Sequence, residues 1–214
     1  MSEDKSKSVS LKELRENFYI NRNLEIKNLW QRSIFLATFM VMCFGAYGKI
    51  FETLLNYSQC NEKIAILHSA AIFVGIVGLL ISILWVMMSK SSKAWQEVYE
   101  ITLKELELEL EIPEKYRMGN VNHSGTDTNI FSCNAGKYSP SKINIAIGHI
   151  SFFIWGIIIF GHFFCNICHL LCSFSPCEHF QILILFFNIL LLLIAIIIPI
   201  ILICGKWVKS SFLK

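Results

Sequence analysis

The chain has 214 residues, of which 54% are hydrophobic and 16% charged, with a mean hydropathy of +0.53 and a formal net charge of +3. A soluble domain of this size needs no such apolar excess to build a core, and so small a charge argues for no nucleic-acid partner. The composition is that of a membrane protein, and the spacing of the charges carries its topology.

Residues 1–32 are polar and charged, with no apolar core ahead of a small-residue cleavage site, so no cleavable signal peptide is expected. Ser10-Leu-Lys-Glu13 fits the capping pattern S-x-x-E and predicts a helix from Leu11, with Leu11, Leu14 and Phe18 on one side. Four uncharged runs follow: Ser33–Gly48 (16 residues), Ile64–Ser89 (26), Ile143–Cys177 (35) and His179–Gly205 (27). Crossing the hydrocarbon takes about 20 apolar residues. The first run is short, but it lengthens through Phe51 and Leu55 if Lys49 and Glu52 reach the headgroups or a polar partner. The third run is too short for two helices, so it holds one span and an outer loop. The expected fold is an all-α integral membrane protein, with four transmembrane helices and cytoplasmic helical extensions.

The organisation follows directly. Residues 1–32 form an N-terminal helical segment and 33–89 carry spans one and two. Residues 90–142 form a helix and polar loop, 143–205 hold spans three and four with an outer Cys-rich loop, and 206–214 are the tail. Seventeen Lys and Arg lie in residues 1–32, 90–142 and the tail, against two (Lys49 and Lys63) in the first connection and none in the third. The positive-inside rule then places both termini and the long connection in the cytoplasm. Trp30, Trp85 and Trp207 fall near the inner span ends, where an indole suits the interface.

Span two carries the small residues Ala71, Gly75, Gly78 and Ser82, a face on which another helix can approach closely, from this chain or from another subunit. After it, Tyr99, Leu103, Leu106 and Leu110 recur at coiled-coil spacing. That seam is expected either to join subunits or to pack on the N-terminal helix. Pro113 is expected to end the helix. LELELE within it also reads as an alternating strand, but Glu, Leu and Lys favour the helix. Residues 114–141 read as a polar loop, and the Ile/Leu-rich span four, broken by Asn188 and Pro199, as mostly lipid-facing.

Two stretches, RNLEIKNLWQRSIFLATF (Arg22–Phe39) and GLLISILWVMMSKSSKAWQEVYE (Gly78–Glu100), together with KYSPSKINIAI (Lys137–Ile147), resemble the RipA family of octameric bacterial inner-membrane proteins. The resemblance covers roughly Asn17–Ile150. It implies a multispan protein assembling as a ring-like homo-octamer in the bacterial inner membrane, with no agreed biochemical activity and no catalytic residue to transfer. Carried over by position, Trp85, Lys90, Ser92, Lys93, Trp95 and Glu97 form its juxtamembrane motif, with Trp30 and Arg32 at span one. Physically, such a motif suits an inner-leaflet collar, because Lys90 and Lys93 lie within a turn of the hydrocarbon edge near anionic lipid.

The outer end of span three reads GHFFCNICHLLCSFSPCEH. Cys165, Cys168 and His169 match the haem-attachment pattern C-x-x-C-H. Cys165, Cys168, Cys172, Cys177 and His179 are soft donors for zinc or copper. Cys172 and Cys177 are also placed for a disulfide in an oxidising compartment. Plain thiols in an apolar helix are a fourth reading, and the stretch has no counterpart in the family pattern. No carboxylate lies within spans two to four, which disfavours a carboxylate-driven proton or cation carrier. His68, His149 and His162 lie toward span ends and read as interfacial hydrogen-bonders, and Asn188 as an interhelical one. No nucleotide-loop, zinc-protease or serine-hydrolase motif is present, so no enzymatic activity and no cofactor are expected. The function expected is an oligomeric scaffold in contact with membrane lipid. A channel for ions or small solutes is the alternative, and a redox or metal protein using the outer cysteines a second one.

Overall fold

The computed structural model describes residues 10–56, 61–118, 138–172 and 178–204. The order is α1 (Leu11–Asn56), α2 (Asn61–Glu109), a 3-10 turn (Glu114–Tyr116), α3 (Pro140–Cys172) and α4 (Glu178–Cys204). All four α-helices are long and apolar enough to cross a membrane. The chain is a multi-pass membrane protein with four spans. With 46 and 49 residues, α1 and α2 are about 69 and 74 Å long, more than twice the hydrocarbon thickness of about 30 Å. Each therefore continues well beyond its uncharged run, as a helical extension.

Helix α1 starts where the capping pattern predicts. The Ser10 hydroxyl accepts the Glu13 N–H at 3.2 Å, and its carbonyl takes the Leu14 N–H at 2.9 Å. The LELELE stretch is helical, but Pro113 is not what stops it. Helix α2 closes four residues earlier, at Glu109, because Glu111 adopts φ 52°. Its N–H bonds the Leu108 carbonyl at 3.0 Å and the Ile112 N–H bonds the Glu107 carbonyl at 3.1 Å. That is the two-bond C-terminal cap usually built on glycine.

The chain divides into two compact units. One comprises the described residues of Met1–Arg32 and Met88–Ile143. In it Leu103 and Leu106 are buried, on the side of α2 reached by Phe18, whose ring meets Tyr99 edge-on at 6.0 Å. The heptad-like seam is thus used within the chain, with Tyr99 and Leu110 half-buried at its margins.

The other unit comprises the described residues of Ser33–Met87 and Asn144–Lys214. Helix α2 is its centre: half of its most apolar window is buried, against 11% for α1. The small-residue face packs on α3 of the same chain. A Cβ at Gly75 would lie 2.8 Å from Ile159 Cγ1, and one at Gly78 would overlap the Trp155 indole. The fit is reciprocal at Gly148, where a Cβ would stand 2.7 Å from Val86 Cγ2. Ala71 and Ser82 are fully buried, and the Ser82 hydroxyl is satisfied by the Gly78 carbonyl at 2.8 Å. Trp155 is fully buried, donates to Met40 Sδ at 2.9 Å and stacks on Phe44 at 4.5 Å. The sequence left the partner of this face open, and α3 fills it. Helix α4 leaves an apolar groove of about 700 Å³ bounded by Leu79, Phe152, Gly156, Leu192, Ala195 and Pro199.

Replacing Gly78 with Ala should cost about 1–3 kcal/mol through overpacking. Gly45→Ala should cost nothing and gain up to about 1 kcal/mol of helix propensity, because nothing lies within 4 Å of a Cβ there. Thermal denaturation of the detergent-solubilised protein compares the two, and equal stabilities would contradict this packing. Glu111→Gly should stabilise by about 1 kcal/mol by relieving the left-handed backbone.

Candidate functional site

Polar side chains collect along the helices of the first unit and at two levels of the packed spans of the second. In the first unit, α1 and α2 are joined by a ladder of charged contacts. Glu107, on α2, is fully buried and accepts from Arg15 Nη2 at 2.8 Å, Arg15 Nε at 3.1 Å and the Tyr19 hydroxyl at 2.8 Å, all on Oε1. Its Oε2 takes the backbone N–H of Met118 at 2.6 Å, which ties the turn after α2 back to the helix. Burial opposes the charged form of Glu107. The Met118 N–H, the Arg15 guanidinium and the Tyr19 hydroxyl outweigh it and hold the carboxyl below its ordinary pKa. The Glu107 hydrogen bond raises Arg15 in turn, while burial, followed by the bond to Glu107, raises Tyr19. Two turns toward the membrane run, Arg22 pairs with Glu100 at 2.8 Å.

The juxtamembrane motif divides between the units. Arg32 and Ser92 do meet: Arg32 Nη1 donates to Ser92 Oγ at 3.3 Å, and Glu25, a residue the motif omits, joins both, its Oε1 accepting from the Ser92 hydroxyl at 2.6 Å and from Arg32 Nη2 at 3.3 Å. Lys93 pairs with Glu97, and Trp95 stacks on Tyr99 with centroids 6.0 Å apart. Lys90 and Trp30 are exposed. Trp85 is not an exposed interfacial anchor. It is buried in the second unit, where its Nε1–H donates to Asn144 Oδ1 at 2.8 Å and Asn144 Nδ2 donates to Ser33 Oγ at 2.5 Å. One asparagine thus links α1, α2 and α3 at the start of the spans.

A second polar group lies at the other end of the same three helices. His68 Nδ1 and His162 Nδ1 are 2.8 Å apart, and the Tyr47 hydroxyl stands 3.2 Å from His162 Nε2. His162 is buried, and Tyr47 and His68 half-buried. One turn on, buried Asn166 donates weakly to the Ala65 carbonyl at 3.5 Å, and its Oδ1 has no partner among the described residues. Both amide atoms of buried Asn188 are also without a partner among the described residues. His149 is exposed.

Cys165 and Cys168 are free thiols on α3, the first exposed and the second half-buried. The side chains of His169, Cys172 and His179, and the whole of Cys177 and Trp207, lie outside the described residues. Among the described residues no three His, Cys, Asp or Glu come together to hold a metal.

Comparison with known proteins matches the model of the octameric membrane protein family (8xMP) over residues 12–164, which runs from the start of α1 through most of α3. The match stops one residue before Cys165. No curated protein and no solved structure matches.

Because Glu107 is buried among donors, Glu107→Gln or Arg15→Met should destabilise the first unit by roughly 3–5 kcal/mol. Hydrogen–deuterium exchange over residues 100–118 measures this as lost protection. The sign with pH follows from the depressed carboxyl. Its stabilisation is present above the ordinary value of about 4.3 and is lost as pH falls through the lower folded one. Glu107→Gln should remove this acid limb, and an unchanged limb would contradict the assignment.

Proposed function

Because the chain belongs to the octameric membrane protein family, we propose that it is a RipA-like homo-octamer of the bacterial inner membrane, acting as a scaffold rather than an enzyme. The observation that carries this reading is the extent of the family match, which includes both the charged ladder of the first unit and the packed core of α1, α2 and α3. The matched region thus takes in a packed framework of this chain, and the cysteine-rich end of α3 lies beyond it.

In this reading the charged first unit lies in the cytoplasm. The seventeen-to-two bias of Lys and Arg supports that orientation. Exposed Lys90 and Trp30 then meet the inner leaflet, where each basic group gains about 1 kcal/mol from anionic lipid. Ser92, Lys93, Trp95 and Glu97 serve the extension through contacts within the chain, and Trp85 serves the span core.

In this reading subunit contacts fall on faces other than the two that looked most suited to them. Leu103 and Leu106 are buried within one chain, and the row from Ala71 to Ser82 is covered by α3. The exposed apolar side of α1, with Ile34, Phe35, Val41 and Met42, remains open to lipid or to a neighbour.

Native mass measurement of the detergent-solubilised protein should give eight copies, and a monomer or dimer would contradict the assembly. Thiol labelling of Asn129→Cys and Lys214→Cys in intact cells should report the same cytoplasmic side. In liposomes the octamer should retain a trapped dye and an ion gradient, whereas leakage would replace the scaffold with a pore.

A further inference from the structure

The Tyr47–His162–His68 row goes beyond the scaffold reading and is independent of subunit number. Its three side chains come from α1, α3 and α2, and nothing in the local sequence requires them to meet. His68 is the fifth residue of the uncharged run Ile64–Ser89, so the row lies near the edge of the hydrocarbon, within reach of water. Imidazole is the one side chain that ordinarily changes charge near neutral pH. We propose that His68 and His162 form a proton-binding site that takes up one proton as a unit, with Tyr47 as the hydrogen-bonding terminus that orients His162.

The geometry of the Nδ1–Nδ1 contact carries the stoichiometry. At 2.8 Å the two nitrogens share one hydrogen, so one ring donates and the other accepts. A first added proton converts one imidazole to imidazolium by forming a single new N–H bond, with water as the donor. The contact survives as N–H⁺···N and is strengthened by the charge. A second proton would set two N–H groups against each other and two positive charges on adjacent rings. The pair therefore takes a first proton more easily than a second. In either state the Tyr47 hydroxyl serves His162 Nε2, accepting from it when it carries hydrogen and donating when it does not.

Among the described residues no third His, Cys, Asp or Glu joins the two histidines. From α1, Cys43 lies one turn away, and Lys49 is paired with Glu52 in an exposed position. From α2, Lys63 is exposed and five residues distant. From α3, Cys165 is exposed, and neutral Asn166, one turn from His162, offers a buried Oδ1 with no partner among the described residues. The side chains of Glu178 and His179 on α4 lie outside the described residues. Zinc fits this arrangement less well than a proton. Tetrahedral bonds of about 2.0–2.1 Å hold two nitrogens about 3.3 Å apart, and here they are closer.

The test is a titration of the full chain, labelled with ¹⁵N-histidine and reconstituted in lipid nanodiscs, followed by NMR from about pH 5 to 8. His68 and His162 should shift together at a shared first step, with the second step displaced by more than about one pH unit. In His162→Asn, His68 should revert to one ordinary step. In Tyr47→Phe the coupling should remain while the His162 Nε2 resonance moves. Independent single-step titration of the two rings, or rings that stay neutral throughout, would overturn the proposal. So would stoichiometric Zn²⁺ binding that is lost in His162→Asn, which would make the pair a metal ligand.

Discussion

Lipid gives helices no hydrophobic reason to associate, since the tails are as apolar as the side chains they would replace. What remains is shape and hydrogen bonding, and here both depend on the Trp155 indole lying over Gly78. The missing side chain at Gly78 lets α2 and α3 approach until the ring is fully buried. The same ring reaches α1 through Met40 and Phe44. One large aromatic and one absent side chain thereby define the relation of three helices. Asn144 and the histidine pair add polar links on either side of it along the helices.

The extensions of α1 and α2 follow different physics because water is available to them. Beside the Leu103–Leu106 seam they carry ion pairs, and all but one of these are partly exposed and individually modest. Glu107 is the exception, because its burial turns a weak surface pair into one that the unit cannot lose without stranding a charge. By also holding the Met118 N–H, it fixes where the chain goes after the left-handed turn at Glu111. Helices that serve two environments thus carry two separate sets of fastenings.

The four spans were legible from charge spacing alone, because twenty apolar residues in a row have few other uses. The start of α1 was legible because Ser10 and Glu13 act locally. The end of α2 was not: Pro113 is a strong stop signal, but a two-bond cap on a glutamate leaves no mark in composition. Spacing identified the small-residue face and the Leu103–Leu106 seam as packing surfaces. It could not say that their partners lie in the same chain, since periodicity describes one helix and not its neighbour. Trp85 illustrates the same limit, because an indole at a span end serves a membrane interface or a buried asparagine equally well. His68 and His162, 94 residues apart, and Arg15 with Glu107 had no sequence signal as pairs. The carboxylate of Glu107 was hidden in an alternating run of identical glutamates.

The account rests on α2 and α3 packing within a single subunit, so the most direct measurement is a cross-link. Gly75→Cys and Ile159→Cys, placed where a Cβ approaches Ile159 Cγ1 to 2.8 Å, should form a disulfide on mild oxidation in a background stripped of native cysteines. The product should migrate as one chain, and coexpressed single variants should give no cross-linked dimer. A dimer from the separately substituted chains would show that this face joins subunits, and would contradict the packing on which the rest is built.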